Sequence, residues 1–282
     1  MSEIIVGVED SEEGREALRF ARLFIGLEGA SLHVVSVHSD TYFYEGVEAM
    51  EASRASYFDQ MLEVAESELG GEFQFHRMME ISVPAGLTKV AERVEAEAMI
   101  IGSSHRGPIG RVLMGDQGSR LASGSPCAVI VIPRGWGRQD QSGISKVGIA
   151  YNGSGESEAA LEFGHDLAGK LGASIELIGV VPAIINPGRI AHTDRGYQEL
   201  LIDEMEKTVG AAVERFGKDE ASTRVMTGNA ADELAGASED VDLLVVGSRS
   251  YGPLRRVLLG GTSFRVTRSA ACPVVVVPRV RE

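Results

Sequence analysis

The chain carries the same fifteen-residue pattern twice. Residues 101–115 read IGSSHRGPIGRVLMG and residues 246–260 read VGSRSYGPLRRVLLG, so the second copy follows the first by 145 positions. The same displacement relates Cys127 to Cys272. Solenoid repeats have periods of about 20–50 residues, so a repeat of this length indicates two whole domains. Each candidate site residue in one half can therefore be compared with its counterpart in the other.

Length and charge exclude several classes of protein. The 282 residues suit two domains, and a formal net charge of −14 without a basic stripe disfavours binding to a phosphodiester backbone. No apolar stretch approaches the roughly 18 residues of a membrane helix, and the first residues lack the basic start of a signal peptide. We therefore expect a cytoplasmic protein that binds neither nucleic acid nor a membrane. Both cysteines lead into apolar runs, which predicts buried, reduced thiols.

Strands and helices are predicted to alternate through both halves. Apolar runs predict strands at residues 4–8, 32–37, 73–79, 98–101 and 128–132, and again at 146–150, 175–180, 223–226, 243–246 and 274–277. Helical spacing predicts helices over about 12–27, 45–69, from 156 onwards, 198–216 and 230–237, with one more opened by Pro84. Such alternation is typical of an α/β fold in which helices cover both faces of a parallel sheet.

A glycine-rich polar stretch, RGWGRQDQSG at residues 134–143, predicts the connection between the halves. This places a first domain at residues 1–134, a linker at 135–144 and a second domain at 145–282. In this fold class, ligands bind outside the carboxyl ends of the strands, where the strand order changes direction. The loops after the first and fourth strands of each half are therefore the candidate sites.

The loop after each fourth strand is the most specific signal. A strand leads into Gly-Ser, a second glycine follows thirteen positions later, and a short helix and a cysteine precede a valine-rich strand. This arrangement resembles the universal stress protein family in tandem, over about residues 3–134 and 145–280, most specifically at 243–278. The resemblance implies two Rossmann-like, flavodoxin-like domains, each a five-stranded parallel sheet in the order 3-2-1-4-5. It also implies a stress-response regulatory or binding protein. The sequence carries none of the motifs of nucleotidyl transferases, pyrophosphatases or P-loop enzymes, so we expect that the protein is not an enzyme.

ATP-binding members of that family use the motif G-x2-G-x9-G-[ST] after strand four, an Asp after strand one and a hydrophobic residue at the end of strand two, whereas other members lack the motif and bind no ATP. In the first half the corresponding positions hold Glu9, Val37, Gly102, His105, Gly115 and Asp116. Asp10 adds a third carboxylate beside Glu9 and Asp116. Because carboxylates at a helix start repel an incoming phosphate, we predict that the first site is closed to nucleotide unless a divalent cation bridges the charges.

The second half departs less from the motif. Its candidate residues are Asn152, Val180, Gly247, Ser248, Ser250, Gly260, Gly261 and Thr262. Asn152 replaces the Asp but retains an acceptor and gains donors. The resemblance thus implies at most one site for ATP with Mg²⁺, in the second half. The alternative is a nucleotide-free scaffold that acts through protein–protein contacts.

The last strand of each half is apolar and would be exposed at a sheet edge. Because such an edge invites aggregation, and family members commonly pair these strands, we predict that Ala128–Ile132 and Val274–Val277 meet antiparallel. The halves would then form an internal pseudo-dimer, and a homodimer of two chains is left open. No metal site is predicted: His33 and His38 lie five positions apart on one strand and so face opposite sides, and His76, His165 and His192 are predicted to be isolated.

Overall fold

A computed structural model of the protein describes residues 2–39, 47–103, 111–112, 116–137, 143–184, 191–216, 221–248 and 260–278. The elements of the first half are β1 (Ser2–Gly7), α1 (Glu12–Ala21), β2 (Ala30–His38), α2 (Val47–Leu69), β3 (Gln74–Met79), α3 (Val83–Val94), β4 (Ala98–Gly102), α4 (Asp116–Ala122) and β5 (Ala128–Ile132). Those of the second half are β6 (Lys146–Ala150), α5 (Gly155–Leu171), β7 (Ser174–Val181), α6 (Ala191–Glu214), β8 (Ala221–Thr227), α7 (Ala230–Ala237), β9 (Leu243–Gly247), α8 (Gly261–Val266) and β10 (Val274–Val277).

The ten strands form one continuous sheet in the order β3-β2-β1-β4-β5-β10-β9-β6-β7-β8. Within each half the order is 3-2-1-4-5 and every pair is parallel, as the family resemblance implies. The antiparallel pair is β5 with β10, in which Val275 lies opposite Ile130. The predicted contact between the two apolar edges is therefore present, and the outer edges of the sheet are β3 and β8.

Helices cover both faces of the sheet, so the strands are buried on both sides. One face packs against α1, α2, α5 and α6, and its apolar cluster runs without interruption from the first half to the second. The other face packs against α3, α4, α7 and α8. Burial on both faces explains why the strands read as nearly continuous apolar runs rather than as alternating patterns. None of the helices in the described part of the chain is long and apolar enough to cross a membrane.

Part of the segment predicted as a linker is packed against the first half. Trp136 is 8% exposed, and its ring meets that of Phe20 edge-on with 5.2 Å between centroids. The Gly135 N–H donates to Glu16 Oε1 at 2.7 Å. Gly135 and Gly137 both have positive φ, which lets the chain turn on either side of the tryptophan. The proposed boundaries at 135 and 144 stay a prediction.

The prediction that His76 is isolated was wrong. Its Nε2 lies 2.9 Å from His33 Nδ1, because β2 and β3 are neighbours and their register puts both rings on the α3 face. His165 is not isolated either, since its ring stacks on Phe216 with 4.2 Å between centroids. The side chain of His192 lies outside the described residues. Sequence spacing alone could not show either contact, because both join elements that are distant along the chain.

Candidate functional site

A cleft of about 500 Å³ opens at the carboxyl ends of β6 and β9 in the second half. These two strands are neighbours, and the chain order reverses between them, because β7 follows on one side of β6 and β10 on the other side of β9. This is the position at which open α/β sheets bind ligands. The cleft contains both an apolar and a polar region, which are described in turn.

Side chains from β7, α7 and β9 line the apolar region. Ile178 and Val180 come from β7, Leu234 from α7 and Val246 from β9. Val180 is partly exposed, while the other three are buried. A flat apolar group can therefore lie against this region and bury its surface.

The polar region lies where β9 ends and α8 begins. Ser248 is fully buried, and its Oγ has no hydrogen-bond partner among the described residues, whereas its backbone N–H donates to the Val277 carbonyl at 2.9 Å. A buried hydroxyl without a partner costs about 1–3 kcal/mol of stability. Its counterpart Ser103 is also buried but is not left without a partner. Ser248 is among the residues that line the cleft.

Helix α8 begins at the same place without a side-chain cap. Gly260 is the N-cap residue, and within the described residues no side chain accepts from the first N–H groups of α8. The Ser263 hydroxyl instead donates to the Gly260 carbonyl at 3.2 Å. Because the first N–H groups of a helix have no partner within the helix, they can donate to an acceptor that enters the cleft.

The loop after β6 is held by its own side chains. The Ser154 N–H donates to Asn152 Oδ1 at 3.1 Å, and the Asn152 N–H donates to Ser157 Oγ at 3.3 Å. Ser154 Oγ accepts from the Ser157 N–H and so caps α5. The Asn152 side-chain oxygen thus already serves the loop, which leaves the side-chain amide nitrogen as the donor that can reach a ligand.

Tyr151 closes the side of the cleft that faces α5 and α6. Its hydroxyl donates to Glu158 Oε1, and Glu158 Oε2 accepts from Arg215 Nη1 at 2.9 Å. Burial and the contact with Glu158 raise the pKa of Tyr151 to about 12, so the phenol stays neutral and keeps its donor proton. This chain of bonds ties the loop after β6 to α6.

Six of the eight residues predicted for this site line the cleft: Asn152, Val180, Gly247, Ser248, Gly260 and Thr262. Gly261 opens α8 but is not among the lining residues, and Ser250 lies outside the described residues. Sequence reasoning missed Tyr151, Glu156, Ser157 and Ser263, which also line the cleft. Tyr151 follows directly on β6, and Glu156 and Ser157 lie in the first turn of α5, next to the loop where the fold class places ligands. That position is the signal that could have found these three.

Gly247 is required by packing. A Cβ on Gly247 would lie 2.3 Å from the Glu156 carbonyl oxygen, because the first turn of α5 approaches the end of β9 closely. Gly102 in the first half has the same geometry, since its Cβ would lie 2.3 Å from the Glu13 carbonyl oxygen. A side chain is therefore excluded at both positions whether or not a ligand binds, and this glycine by itself does not distinguish a binding site from a turn.

A sequence model of the universal stress protein family matches residues 1–133 and 143–278. The chain belongs to the universal stress protein family. A universal stress protein of Mycobacterium tuberculosis is 25% identical over 291 aligned positions, which cover 98% of this chain and 99% of that protein. One from Mycolicibacterium smegmatis is 26% identical over 283 positions, covering 97% and 96%.

Solved universal stress proteins share the fold. A structure from Archaeoglobus fulgidus aligns with a TM-score of 0.68 and 19% identity, and it covers 99% of this chain and 98% of that one. A universal stress protein solved in complex with cAMP matches 49% of this chain, and 99% of its own, with 22% identity and a TM-score of 0.35. That ligand is a property of that protein.

The corresponding region of the first universal stress protein domain is arranged differently. Val37 is 6% exposed, and its methyl groups lie 2.6 Å from where a Cβ on Gly86 would stand, so α3 packs directly onto it. Val180, its counterpart, is partly exposed at the cleft. Gly102 ends β4, and Asp116 begins α4. His105, Gly115 and the side chain of Asp116 lie outside the described residues.

The carboxylates predicted to crowd the first site are not all unpaired. Asp10 accepts from Arg15 Nη2 at 2.8 Å and from Gln60 Nε2 at 2.9 Å. These hydrogen bonds, that from Arg15 above all, lower the pKa of Asp10 and keep it ionised. Arg15 also balances the charge of Asp10. The sequence did not indicate these contacts, because Arg15 lies on α1 and Gln60 lies on α2. Glu9 is exposed at the end of the strand.

Proposed function

We propose that this universal stress protein is a regulatory protein of the stress response that acts by binding, and that its second domain holds one adenine nucleotide. The observation that carries this proposal is the cleft between β6 and β9. There an apolar region adjoins the Ser248 hydroxyl and the start of α8, neither of which has a side-chain partner within the described residues. Adenosine phosphates have the same division, with a flat base at one end and anionic oxygens at the other. The family membership supports this choice of ligand.

The base would lie against Val180 and Leu234, two of the apolar residues that line the cleft. Burying this surface would supply much of the binding free energy, at about 25 cal/mol per Å² of apolar area removed from water. The Asn152 amide nitrogen would donate to a ribose oxygen. Directional bonds of this kind fix orientation rather than supply most of the affinity.

The phosphates would lie between Ser248 and the first turn of α8. A phosphate oxygen would accept from the Ser248 hydroxyl and from the N–H groups after Gly260, where the helix dipole also favours an anion. Glu156 lies in the same cleft and would oppose a multiply charged phosphate. Mg²⁺ bound through phosphate oxygens would offset part of that repulsion.

Native mass spectrometry with excess Mg-ATP, and separately with cAMP, tests the proposal. One nucleotide per chain is expected, and cAMP reports whether adenosine with one phosphate suffices. Ser248→Ala should weaken binding about tenfold, as expected for a lost hydrogen bond to a charged group of roughly 1.5 kcal/mol, and Gly260→Glu should abolish it. The matched variant Ser103→Ala should leave binding unchanged.

Three outcomes would contradict the proposal. Two nucleotides per chain, or equal losses from Ser248→Ala and Ser103→Ala, would show that the second cleft is not the single site. No bound nucleotide at millimolar ligand would favour the nucleotide-free scaffold instead. The β5–β10 seam is the observation that favours that second candidate, because it joins the two domains in one continuous sheet.

A further inference from the structure

Four side chains form a hydrogen-bonded chain across the first domain, on the α3 face of the sheet. Arg93 Nη2 lies 2.8 Å from His76 Nδ1, and His76 Nε2 lies 2.9 Å from His33 Nδ1. His33 Nε2 in turn lies 2.6 Å from Glu3 Oε2. The four residues come from α3, β3, β2 and β1, so the chain joins an edge strand and a helix to the middle of the sheet.

The direction of these bonds fixes how many protons the two rings hold. A guanidinium only donates, so His76 Nδ1 must carry no proton and His76 Nε2 must carry one. His76 Nε2 then donates to His33 Nδ1, and His33 Nε2–H donates to Glu3. Two protons on two neutral rings satisfy every contact. A third proton on either ring would set two donors against each other, at the Arg93–His76 contact or at the His76–His33 contact.

The surroundings oppose such a third proton on His76. Burial lowers its pKa first, and the charges of His33 and Arg93 lower it further. His33 is only 3% exposed, so water cannot readily replace a broken contact there. Glu3 is the only acidic side chain among the four bonded residues, and it contacts the ring of His33 rather than that of His76.

Other charged groups near this chain already have partners. On α3, Lys89 donates to Glu80 at 2.7 Å. Before β4, the Glu97 carboxylate lies 3.5 Å from Lys170 Nζ, and the Glu97 N–H donates to the backbone carbonyl of Glu3 at 2.8 Å. On β3, the neighbouring Arg77 lies on the opposite face and pairs with Asp59 at 3.0 Å.

The second domain has permanent ions at the equivalent positions. Strand register equates Glu3 with Lys146, His33 with Glu176 and His76 with Arg224. Glu176 Oε2 lies 3.2 Å from Lys146 Nζ and 3.0 Å from Arg224 Nη2, and Arg224 Nη1 donates to Asp240 at 2.7 Å. Lys, Arg, Glu and Asp all keep their charge between pH 5 and 8, so this network has no group that titrates there.

We propose that the Arg93–His76–His33–Glu3 chain is an acid-sensitive latch, which holds β3 and the end of α3 onto the sheet at neutral pH and releases them as the pH falls. The ionic network of the second domain holds β8 independently of pH over the same range. The first domain is thus the acid-responsive part of the molecule. This inference does not depend on the proposed nucleotide site, which lies in the second domain.

The pH range follows from the sign of the shift. The pKa of His76 is lower in the folded protein than the value of 6.5 expected for an unstructured chain. The opened segment therefore binds a proton more readily than the closed one. The latch is fully effective well above pH 6.5, weakens as the pH falls through 6.5, and stops weakening only below the folded pKa of His76.

Hydrogen–deuterium exchange of the full chain at pH 7.5 and pH 5.5, corrected for the intrinsic pH dependence of exchange, tests this. Between pH 7.5 and pH 5.5, protection of residues 74–94 should fall by up to about tenfold relative to that of residues 221–237. Tenfold is the limit because a single proton binds, at a pH one unit below the pKa of 6.5 of the opened segment. Equal change in the two segments, or no change in either, would overturn the proposal.

Two further measurements separate titration from simple packing. His76→Gln keeps one acceptor for Arg93 and one donor for His33 but removes the titrating ring of His76. The protection of residues 74–94 in this variant should therefore change much less between the two pH values than in the unmodified protein. Arg224→Gln should lower protection of residues 221–237 equally at both. In the unmodified protein, long-range 1H–15N spectra at pH 7.5 should show both rings protonated at Nε2, and a proton on Nδ1 of either ring would overturn the proposal even if a variant fails to fold.

Discussion

Gly247→Ala is expected to destabilise the protein although it adds only one methyl group. That methyl carbon would lie 2.3 Å from the Glu156 carbonyl oxygen and 2.7 Å from its carbonyl carbon, whereas real Cβ contacts essentially never fall below 3.0 Å. The obstructing atoms belong to the backbone of the first turn of α5, so no rotamer change can move them. The helix start must retreat by at least about 0.7 Å, and overpacking of this kind costs about 1–3 kcal/mol.

Gly169→Ala is the matched control, because it makes the same substitution within α5, the helix whose first turn lies against Gly247. Nothing lies within 4 Å of a Cβ at Gly169, and its backbone is helical. Alanine is favoured over glycine within a helix by about 0.5–1 kcal/mol, so this variant should be slightly more stable than the parent protein. The two variants should therefore shift stability in opposite directions.

Urea unfolding followed by far-UV circular dichroism measures both effects. With an m-value of about 3 kcal/mol/M, the upper end for ordinary domains, Gly247→Ala should lower the midpoint by about 0.3–1 M and Gly169→Ala should raise it by about 0.2–0.3 M. Gly102→Ala should match Gly247→Ala, since its clash with Glu13 is the same. A Gly247→Ala protein as stable as the parent would refute the packing explanation for this glycine.

Two more outcomes follow from the core of the sheet. Ile130→Pro or Val275→Pro removes a backbone donor from a fully buried residue of the β5–β10 seam, where the two residues are directly paired. Either variant should cause aggregation or separation of the halves, measured by size-exclusion chromatography with light scattering. Unchanged elution and stability in both variants would contradict the role of the seam. Burial raises the pKa of Cys127 to about 11 and raises that of Cys272 as well, so neither thiol should react with a thiol reagent at pH 8 until the protein unfolds, and rapid labelling of the folded protein would contradict this.

An ion pair between neighbouring helices shows how the two domains diverged while keeping one fold. In the first domain Arg15 of α1 pairs with Glu68 of α2 at 3.0 Å. In the second domain the signs are reversed, and Glu158 of α5 pairs with Arg215 of α6 at 2.9 Å. The sequence repeat does not reveal this exchange, because the partners lie 53 and 57 positions apart. Only the packing of the helices shows that the pairs are equivalent.

The sequence by itself determined the family, the alternation of elements and the strands that meet at the seam. Strand runs such as Ala128–Ile132 and the helix opened at Pro84 have local causes, namely apolar periodicity and backbone preference, so a linear reading finds them. The loop after β9 was equally visible, because its motif is contiguous.

Tertiary structure decided which side chains meet. The His76–His33 contact depends on the register of two parallel strands, and the pairing of Asp10 with Gln60 depends on how α2 packs against α1 and β2. The reason that Gly247 must be glycine lies in a backbone oxygen 91 positions earlier, at Glu156. Such contacts arise from sheet order and helix packing, which local sequence patterns do not encode.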